Sequence, residues 1–332
     1  MRCYRKFLCL TTVVLGVSFS VVGCAVDSGD GDINSAGITE ETKVEETKVE
    51  ETKVEEKDTY IVGDVLKLRD MSLQVVDVTT SSGGEYSKPK EGNEYVIVDV
   101  ILRNDSDKST KSYSPYHFSM ANSNGQITNT EFTMVDMETA LSLGELSPGG
   151  IVRGTLSYEQ PKGDNGIKLI YNNNILSDKE VIIDLSKKLD SFDLIVGDKV
   201  TVSDDIPKIG EPMELNGARI VVNKVERSSG NDFEKPKDGH EYVIVHIDIE
   251  NIGNARLPYN AYDYRVRNSS GNITEALFIT LNMDTALSSG ELMSGGKVSG
   301  TLSFEQPIGD TELVLMYIAN MFTNECGEIA LK

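Results

Sequence analysis

Lys88–Asn104 reads KPKEGNEYVIVDVILRN and Lys235–Asn251 reads KPKDGHEYVIVHIDIEN, with ten of the 17 aligned positions identical. Aliphatic residues alternate with other types along the second half of each segment, which is the period of two of a β-strand with one buried face. The faces predicted to lie in the core are Val96, Val98, Val100 and Leu102 in the first segment and Val243, Val245, Ile247 and Ile249 in the second. The more variable opposite faces are predicted to lie toward solvent.

A second pair of segments shows that the repetition covers a whole domain. Thr139–Pro161 matches Thr285–Pro307 at 17 of 23 positions, and the offset between copies is 147 in the first pair of segments and 146 in the second. This period is too long for a solenoid repeat. We therefore expect a first domain over 60–186, a connector over 187–207 and a second domain over 208–332. The sequence leaves open whether the connector forms an additional edge strand or a linker.

Turn residues divide each copy into short strands. Asn122–Gly125 and Asn268–Gly271 have the Asn and Gly content of hairpin turns. Seven or eight such strands in about 125 residues are typical of an immunoglobulin-like β-sandwich. The predicted fold class is thus all-β, with two tandem immunoglobulin-like sandwiches. Short helical turns are predicted at Asp136–Leu143 and Asp284–Ser289.

The repeated motif carries a family resemblance. An aliphatic strand ending in Asn, followed by Gly-Glu-Leu-x-x-Gly-Gly-x-Val-x-Gly-Thr-Leu, resembles family 4352 of the domains of unknown function. The resemblance covers both copies and implies immunoglobulin-like domains on exported lipoproteins, mostly of Gram-positive bacteria. It implies no activity and no catalytic residues.

The N-terminus reads as an export signal. Arg2, Arg5 and Lys6 precede an apolar run that ends in Val-Val-Gly before Cys24. This order is typical of a signal peptide, and its end resembles a bacterial lipobox. We expect a lipoprotein signal over 1–23, lipidation of Cys24 with palmitate among its acyl chains, and a lipid anchor on the extracellular face of the cell membrane. The alternative is a soluble secreted protein that is cut nearby.

An acidic stalk is expected over 24–59. The unit Glu-Thr-Lys-Val-Glu occurs three times in succession here, large apolar residues are scarce, and a period of five fits neither a helix nor a strand. Asp30, Asp32, Asn34 and Glu41 have the spacing of a calcium loop, but Ser35 stands where the loop needs Gly. We therefore expect a disordered segment without a metal site.

Charge and motif content exclude several classes of function. The chain carries 32 basic and 53 acidic residues, a net charge of −21, which disfavours nucleic acid as a partner. None of the three histidines occurs at the same position in both copies, and no motif for a catalytic nucleophile, a phosphate loop or a metal site is found. We expect no catalysis, no cofactor and no metal.

Polar residues shared by both copies are the candidates for binding. Exposed aromatic side chains favour binding surfaces, although the shared tyrosines could equally pack beneath a loop, and the lysines and glutamates could simply set turns and end strands. The candidate binding residues are Tyr95, Tyr242, Lys88, Lys235, Glu159 and Glu305.

The leading functional hypothesis is a cell-surface lipoprotein that binds an envelope component or a protein partner without chemistry. Two similar modules could add avidity if both kept a binding site. The alternatives are an accessory subunit of a membrane complex and, with weaker support, a cell-wall hydrolase.

Overall fold

The structure is a computed structural model that describes residues 59–172, 180–320 and 325–332. In this part of the chain the protein is all-β and consists of two β-sandwiches in tandem, as the repeat predicted. The predicted signal over 1–23 and all but the last residue of the predicted stalk over 24–59 lie outside the described residues.

The first module has one sheet in the order β1-β11-β10-β6-β7 and a facing sheet in the order β2-β3-β4-β9. All pairs are antiparallel except β1 with β11, which run parallel. A separate pair is formed by β5 and β8. The strands are β1 (Tyr60–Val62), β2 (Val65–Leu68), β3 (Met71–Ser81), β4 (Asn93–Asn104), β5 (Lys111–Tyr113), β6 (Phe118–Ala121), β7 (Ile127–Asn129), β8 (Gly144–Leu146), β9 (Ile151–Pro161), β10 (Lys168–Tyr171) and β11 (Val181–Lys188).

The second module repeats this plan with the sheets β12-β13-β14-β19 and β21-β20-β16-β17 and the pair β15-β18. Its strands are β12 (Pro212–Leu215), β13 (Ala218–Ser228), β14 (His240–Asn251), β15 (Leu257–Tyr259), β16 (Tyr264–Arg267), β17 (Asn272–Glu275), β18 (Gly290–Leu292), β19 (Lys297–Pro307), β20 (Val314–Asn320) and β21 (Glu325–Ala330).

The aliphatic faces predicted from the alternation lie in the two cores. Val96, Val98, Val100 and Leu102 pack in the first core, and their counterparts in β14 pack in the second. The opposite face of β4 is only partly open to solvent, because Tyr95 and Ile101 are buried there. Alternation along one strand specifies two faces but does not show which loops cover the outer one.

The hairpin turns form as predicted, whereas the helical turns do not. Gly125 and Gly271 end their turns with positive φ angles of 78° and 75°. The predicted helical turns at Asp136–Leu143 and Asp284–Ser289 are wrong, because the described residues there form turns and single bridges to β9 and β19. In the first module the hydroxyl of Thr155 on β9 donates to the carboxylate of Asp136, and the carbonyl of Thr155 accepts from the backbone N–H of Leu141. The N–H of Leu141 is therefore bonded to the strand and not to a helical turn. The 3₁₀ helices lie at Pro115–His117, Ala261–Asp263 and Thr280–Asn282.

Candidate functional site

The two modules are joined by strand pairing. β8 of the first module pairs with β17 of the second, with Leu146 opposite Asn272 and Glu145 opposite Ile273. The sheet of the second module therefore continues as β21-β20-β16-β17-β8-β5. The backbone N–H of Ser147 donates to the carbonyl of Gly271 at 2.9 Å and extends the ladder beyond the strand ends. Both modules thus belong to one compact unit.

Side chains support this junction. Arg265 of β16 reaches across it, with Nη1 2.8 Å from Oε2 of Glu145, and both side chains are mostly buried. The hydroxyl of Tyr113 donates to Oδ1 of Asn272 at 2.9 Å. Burial raises the pKa of Tyr113 to about 12, against opposing hydrogen bonds from Asn272 and Ser142, so the hydroxyl keeps its proton as a donor at neutral pH.

The connector also packs against both modules. Of the predicted connector 187–207, Lys187 and Lys188 end β11, and residues 189–207 form no regular element. The backbone N–H of Asp198 donates to Gly149 of the first module, and that of Val200 donates to Ser269 of the second. Val202 packs with Ile273 in a small apolar cluster of the second module. The segment is therefore an ordered bridge without strand structure.

A cleft of about 650 Å³ lies along the junction and is lined by both modules. Its lining exposes more apolar than polar surface. Its lining includes Tyr113, His117, Glu145, Lys237, His240, Arg265, Ile273, Thr274, Glu275, Ala276, Leu277, Glu305, Gln306 and Pro307.

Arg265 is the charged centre of the cleft. Its Nη2 lies 3.3 Å from the exposed carboxylate of Glu275, in addition to the contact of Nη1 with Glu145. Its buried Nε has no hydrogen-bond partner among the described residues. A buried donor without an acceptor costs free energy.

Two histidines line the same cleft. Burial lowers the pKa of His117, which ends a 3₁₀ helix and contacts the ring of Tyr171 edge-on. The side chain of His117 is therefore a neutral imidazole at pH 7, and its buried Nδ1 lacks a partner among the described residues. His240 lies across the cleft, with Nδ1 3.1 Å from the carbonyl oxygen of Asp238.

The structure separates the predicted tyrosines from the cleft. Tyr95 and Tyr242 are each 5% exposed. The hydroxyl of Ser87 donates to that of Tyr95, and Tyr242 packs with Ile244 and Ile279. Both rings lie beneath loops, which is the second of the two placements that the sequence allowed, and they offer little surface to a ligand.

The other predicted residues are divided. Glu305 lines the cleft, whereas Glu159, its counterpart, accepts hydrogen bonds from Asn93 and from the backbone of Lys90 and so holds a loop of the first module. Lys88 and Lys235 are exposed and lie outside the lining of the cleft. Cys24 lies outside the described residues.

Several lining residues were missed by the search for residues shared between copies. Arg265 replaces Ser119 of the first copy, and His117 replaces Asp263 of the second. A cleft between two different modules uses each copy differently, so the informative signal was where the copies differ. Within the described residues no group of three or more metal-ligating side chains occurs, and no helix there is long and apolar enough to cross a bilayer.

Comparison with known proteins adds a family. The model of the family described as "Domain of unknown function (DUF4352)" matches residues 60–181 and 207–329. The uncharacterized lipoprotein YjhA of Bacillus subtilis (strain 168) is 30% identical over 123 residues, which are 34% of this chain and 58% of that protein. The chain thus spans less than two thirds of the length of this relative.

Solved structures give matches to single modules. The crystal structure of the Bacillus subtilis yjhA protein matches with 26% identity and a TM-score of 0.34, over 38% of this chain and all of that one. An uncharacterized β-sandwich protein of Clostridium difficile matches with 14% identity and a TM-score of 0.27, over 40% of this chain and 99% of that one.

Proposed function

The chain belongs to the DUF4352 family, in two tandem copies, and from that premise we propose a lipid-anchored protein of the cell envelope that holds a ligand between its modules. The observation that carries this proposal is the cleft of about 650 Å³ along the junction. Ligand sites in proteins commonly occupy such clefts at domain interfaces. Because both modules line it, the site is a property of the pair, with one site in each chain.

The anchor is the first part of the proposal. Cys24 follows a basic and then apolar segment that resembles a lipoprotein signal, and the relative YjhA is named a lipoprotein. We place the lipid on Cys24, with removal of residues 1–23, and the modules on the extracellular face of the cell membrane. The stalk over 24–59 would then separate them from the lipid surface.

Cys24→Ala tests the anchor. The substitution removes the only side chain that the lipobox-like segment offers for lipid attachment, so the protein should leave the membrane fraction or accumulate with its signal uncut. Fractionation of cells, with metabolic labelling by a palmitate analogue, measures both effects. Ser28→Ala is the control and should change neither. Membrane retention with undiminished label in the Cys24→Ala protein would contradict the proposal.

The ligand is proposed to be a short peptide segment of an envelope component or of a protein partner, bound without chemistry. Ala276, Leu277 and Pro307 offer apolar contacts, while Lys237 and Glu305 offer charges of both signs at the same cleft. The guanidinium of Arg265 adds a positive charge to the lining of the cleft. The signal contributes +3 and the stalk −8 to the net charge of −21, so residues 59–332 carry −16. This negative charge on the two modules disfavours nucleic acid as the ligand.

A matched pair of threonine variants tests the cleft. Thr274 lines the cleft and accepts a hydrogen bond from Gln306, while Thr128 accepts the same bond from Gln160 at the equivalent position of the first module. Thr274→Arg and Thr128→Arg break equivalent contacts, but only Thr274→Arg fills the cleft. Full-length protein in detergent is titrated with soluble wall fragments that carry stem peptides and with glycan strands that lack them.

Binding of the peptide-bearing fragments by the wild type is expected, with at least a tenfold loss of affinity in Thr274→Arg and no more than a twofold loss in Thr128→Arg. Lys237→Ala and Lys90→Ala form a second pair at equivalent positions, of which only Lys237 lines the cleft. Equal losses in both members of a pair, or equal binding of both fragment classes, would count against a peptide site in the cleft.

A further inference from the structure

The junction between the modules uses one copy of two repeated strand edges and leaves the other copy of each open. β17 and β8 pair with each other. Their counterparts are β7 of the first module and β18 of the second. Within the described residues, β7 is bonded only to β6 and β18 only to β15, so each is the last strand of its sheet.

Equivalent side chains are buried at the paired edges and exposed at the unpaired edges. Ile273 of β17, which also packs against Val202 of the connector, is 2% exposed, whereas Ile127 at the equivalent place in β7 is 58% exposed. Ser147, which follows β8, is 7% exposed, whereas Met293, which follows β18, is 68% exposed. Exposed apolar side chains along an unpaired strand edge are a template for pairing with another chain.

The backbone groups of both edges also point outward. Because Gly271 accepts from Ser147, and close hydrogen-bonded pairs recur at every second residue of an antiparallel ladder, the N–H and C=O of Ile273 face β8. By the repeat, those of Ile127 face away from β6. The edge of β7 therefore presents a donor and an acceptor in the arrangement that β17 uses inside the chain.

We propose that these two edges bind copies of the same chain, with β18 of one molecule pairing antiparallel to β7 of the next. Transfer of the internal register places Leu292 opposite Gln126 and Glu291 opposite Ile127, with the N–H of Met293 donating to the carbonyl of Gly125. The inference stands on the repeat and on the two open edges, and it does not depend on the ligand cleft.

Such a contact joins two different surfaces, so each bound molecule still offers one free edge of each kind. Assembly of this type closes into a ring or continues as a filament instead of stopping at a dimer. The contact between chains is weaker than the internal junction, because Ser119 and Glu291 stand where Arg265 and Glu145 form their ion pair. The net charge of −16 on residues 59–332 also opposes it, so added salt strengthens the association.

Two proline variants test this pairing by removing one outward N–H each: Ile127→Pro on the β7 edge and Met293→Pro on the β18 edge. Proline is tolerated on edge strands, where its missing donor faces solvent. Full-length protein in density-matched detergent is measured by sedimentation equilibrium between about 1 and 300 µM, at low and high salt. Phe233→Pro, at a residue that is 97% exposed and distant from both edges in sequence, is the control.

The wild type and Phe233→Pro should increase in mass with concentration beyond twice the monomer, and more so at high salt. Each single edge variant should stay monomeric, whereas a 1:1 mixture of the two should form a dimer and stop there, because each molecule keeps the edge that the other lacks. That rescue also shows that both variants are folded. A monomeric wild type over the whole range, single edge variants that assemble like the wild type, or a mixture that stays monomeric would overturn the proposal.

Discussion

The two modules have nearly the same strands but different neighbours. Ile127 and Ile273 occupy equivalent positions of equivalent hairpins, yet Ile127 is exposed and Ile273 lies in an apolar cluster with Val202 and Val314. Glu145 and Glu291 likewise share a motif, but only Glu145 meets an arginine across the junction. A duplicated domain can therefore use one copy of a repeated surface for contact within the chain and keep the other copy free for another use.

The largest expected difference between the two modules concerns truncation of the two isoleucines. Ile273→Ala should cost about 2–5 kcal/mol in free energy of unfolding, because it leaves a cavity where β17 meets β8 and the connector. Ile127→Ala should cost no more than about 0.5 kcal/mol, since the side chain is mostly exposed. Urea unfolding of both variants at micromolar concentration measures the pair. Equal losses would show that neither β8 nor the connector covers Ile273 in solution.

The sandwich itself was predictable because the alternation of residue types within each strand indicates which face is buried. The alternation around Val98 and the turns ending at Gly125 and Gly271 specify strands and hairpins without reference to distant residues. The junction was not predictable in this way. Strand pairing uses backbone groups that every residue carries, and β7 and β17 have almost the same side chains, so nothing in either strand alone reveals which one is covered.

The candidate site was predictable only in part, for a related reason. The search favoured residues shared by both copies, and this selected Tyr95 and Tyr242, which serve the same packing role in both modules. Glu305 was the one shared candidate at the cleft. Residues specific to a contact between unlike modules, such as Arg265 and His117, differ between copies, and a single copy gives no physical reason to select them.

A smaller difference between the modules is expected at the ion pair of Glu145 with Arg265. Glu145→Gln should cost about 1–2 kcal/mol, because it leaves the mostly buried Arg265 with only the exposed Glu275 as an acidic partner. Glu291→Gln should cost about 0.5 kcal/mol or less, since its pair with Arg256 is exposed to solvent. Denaturation in low and high salt measures both, and the loss in Glu145→Gln should persist in high salt. A loss that disappears in high salt would place this pair in solvent.

The smallest effect concerns His117 and Asp263, which are the last residues of equivalent 3₁₀ helices. Burial lowers the pKa of His117 below 6.5 and raises that of Asp263 above 3.8, the latter against an opposing hydrogen bond from the backbone of Asn260. The folded first module thus binds a proton less tightly than its unfolded chain, and its stability falls as the pH drops from about 7 toward 5. The second module has the opposite dependence: its contribution is present at low pH and is lost as the pH rises through the folded pKa of Asp263.

His117→Asn should therefore flatten the decrease in melting temperature between pH 7 and 5, by about 2 °C or less. Asp263→Asn should raise the melting temperature slightly at pH 7, and this gain should disappear as the pH falls through the folded pKa of Asp263. If His117→Asn keeps the full dependence between pH 7 and 5, the imidazole is not the group that senses pH, and the chemical difference at this position of the two modules has no effect on their stability.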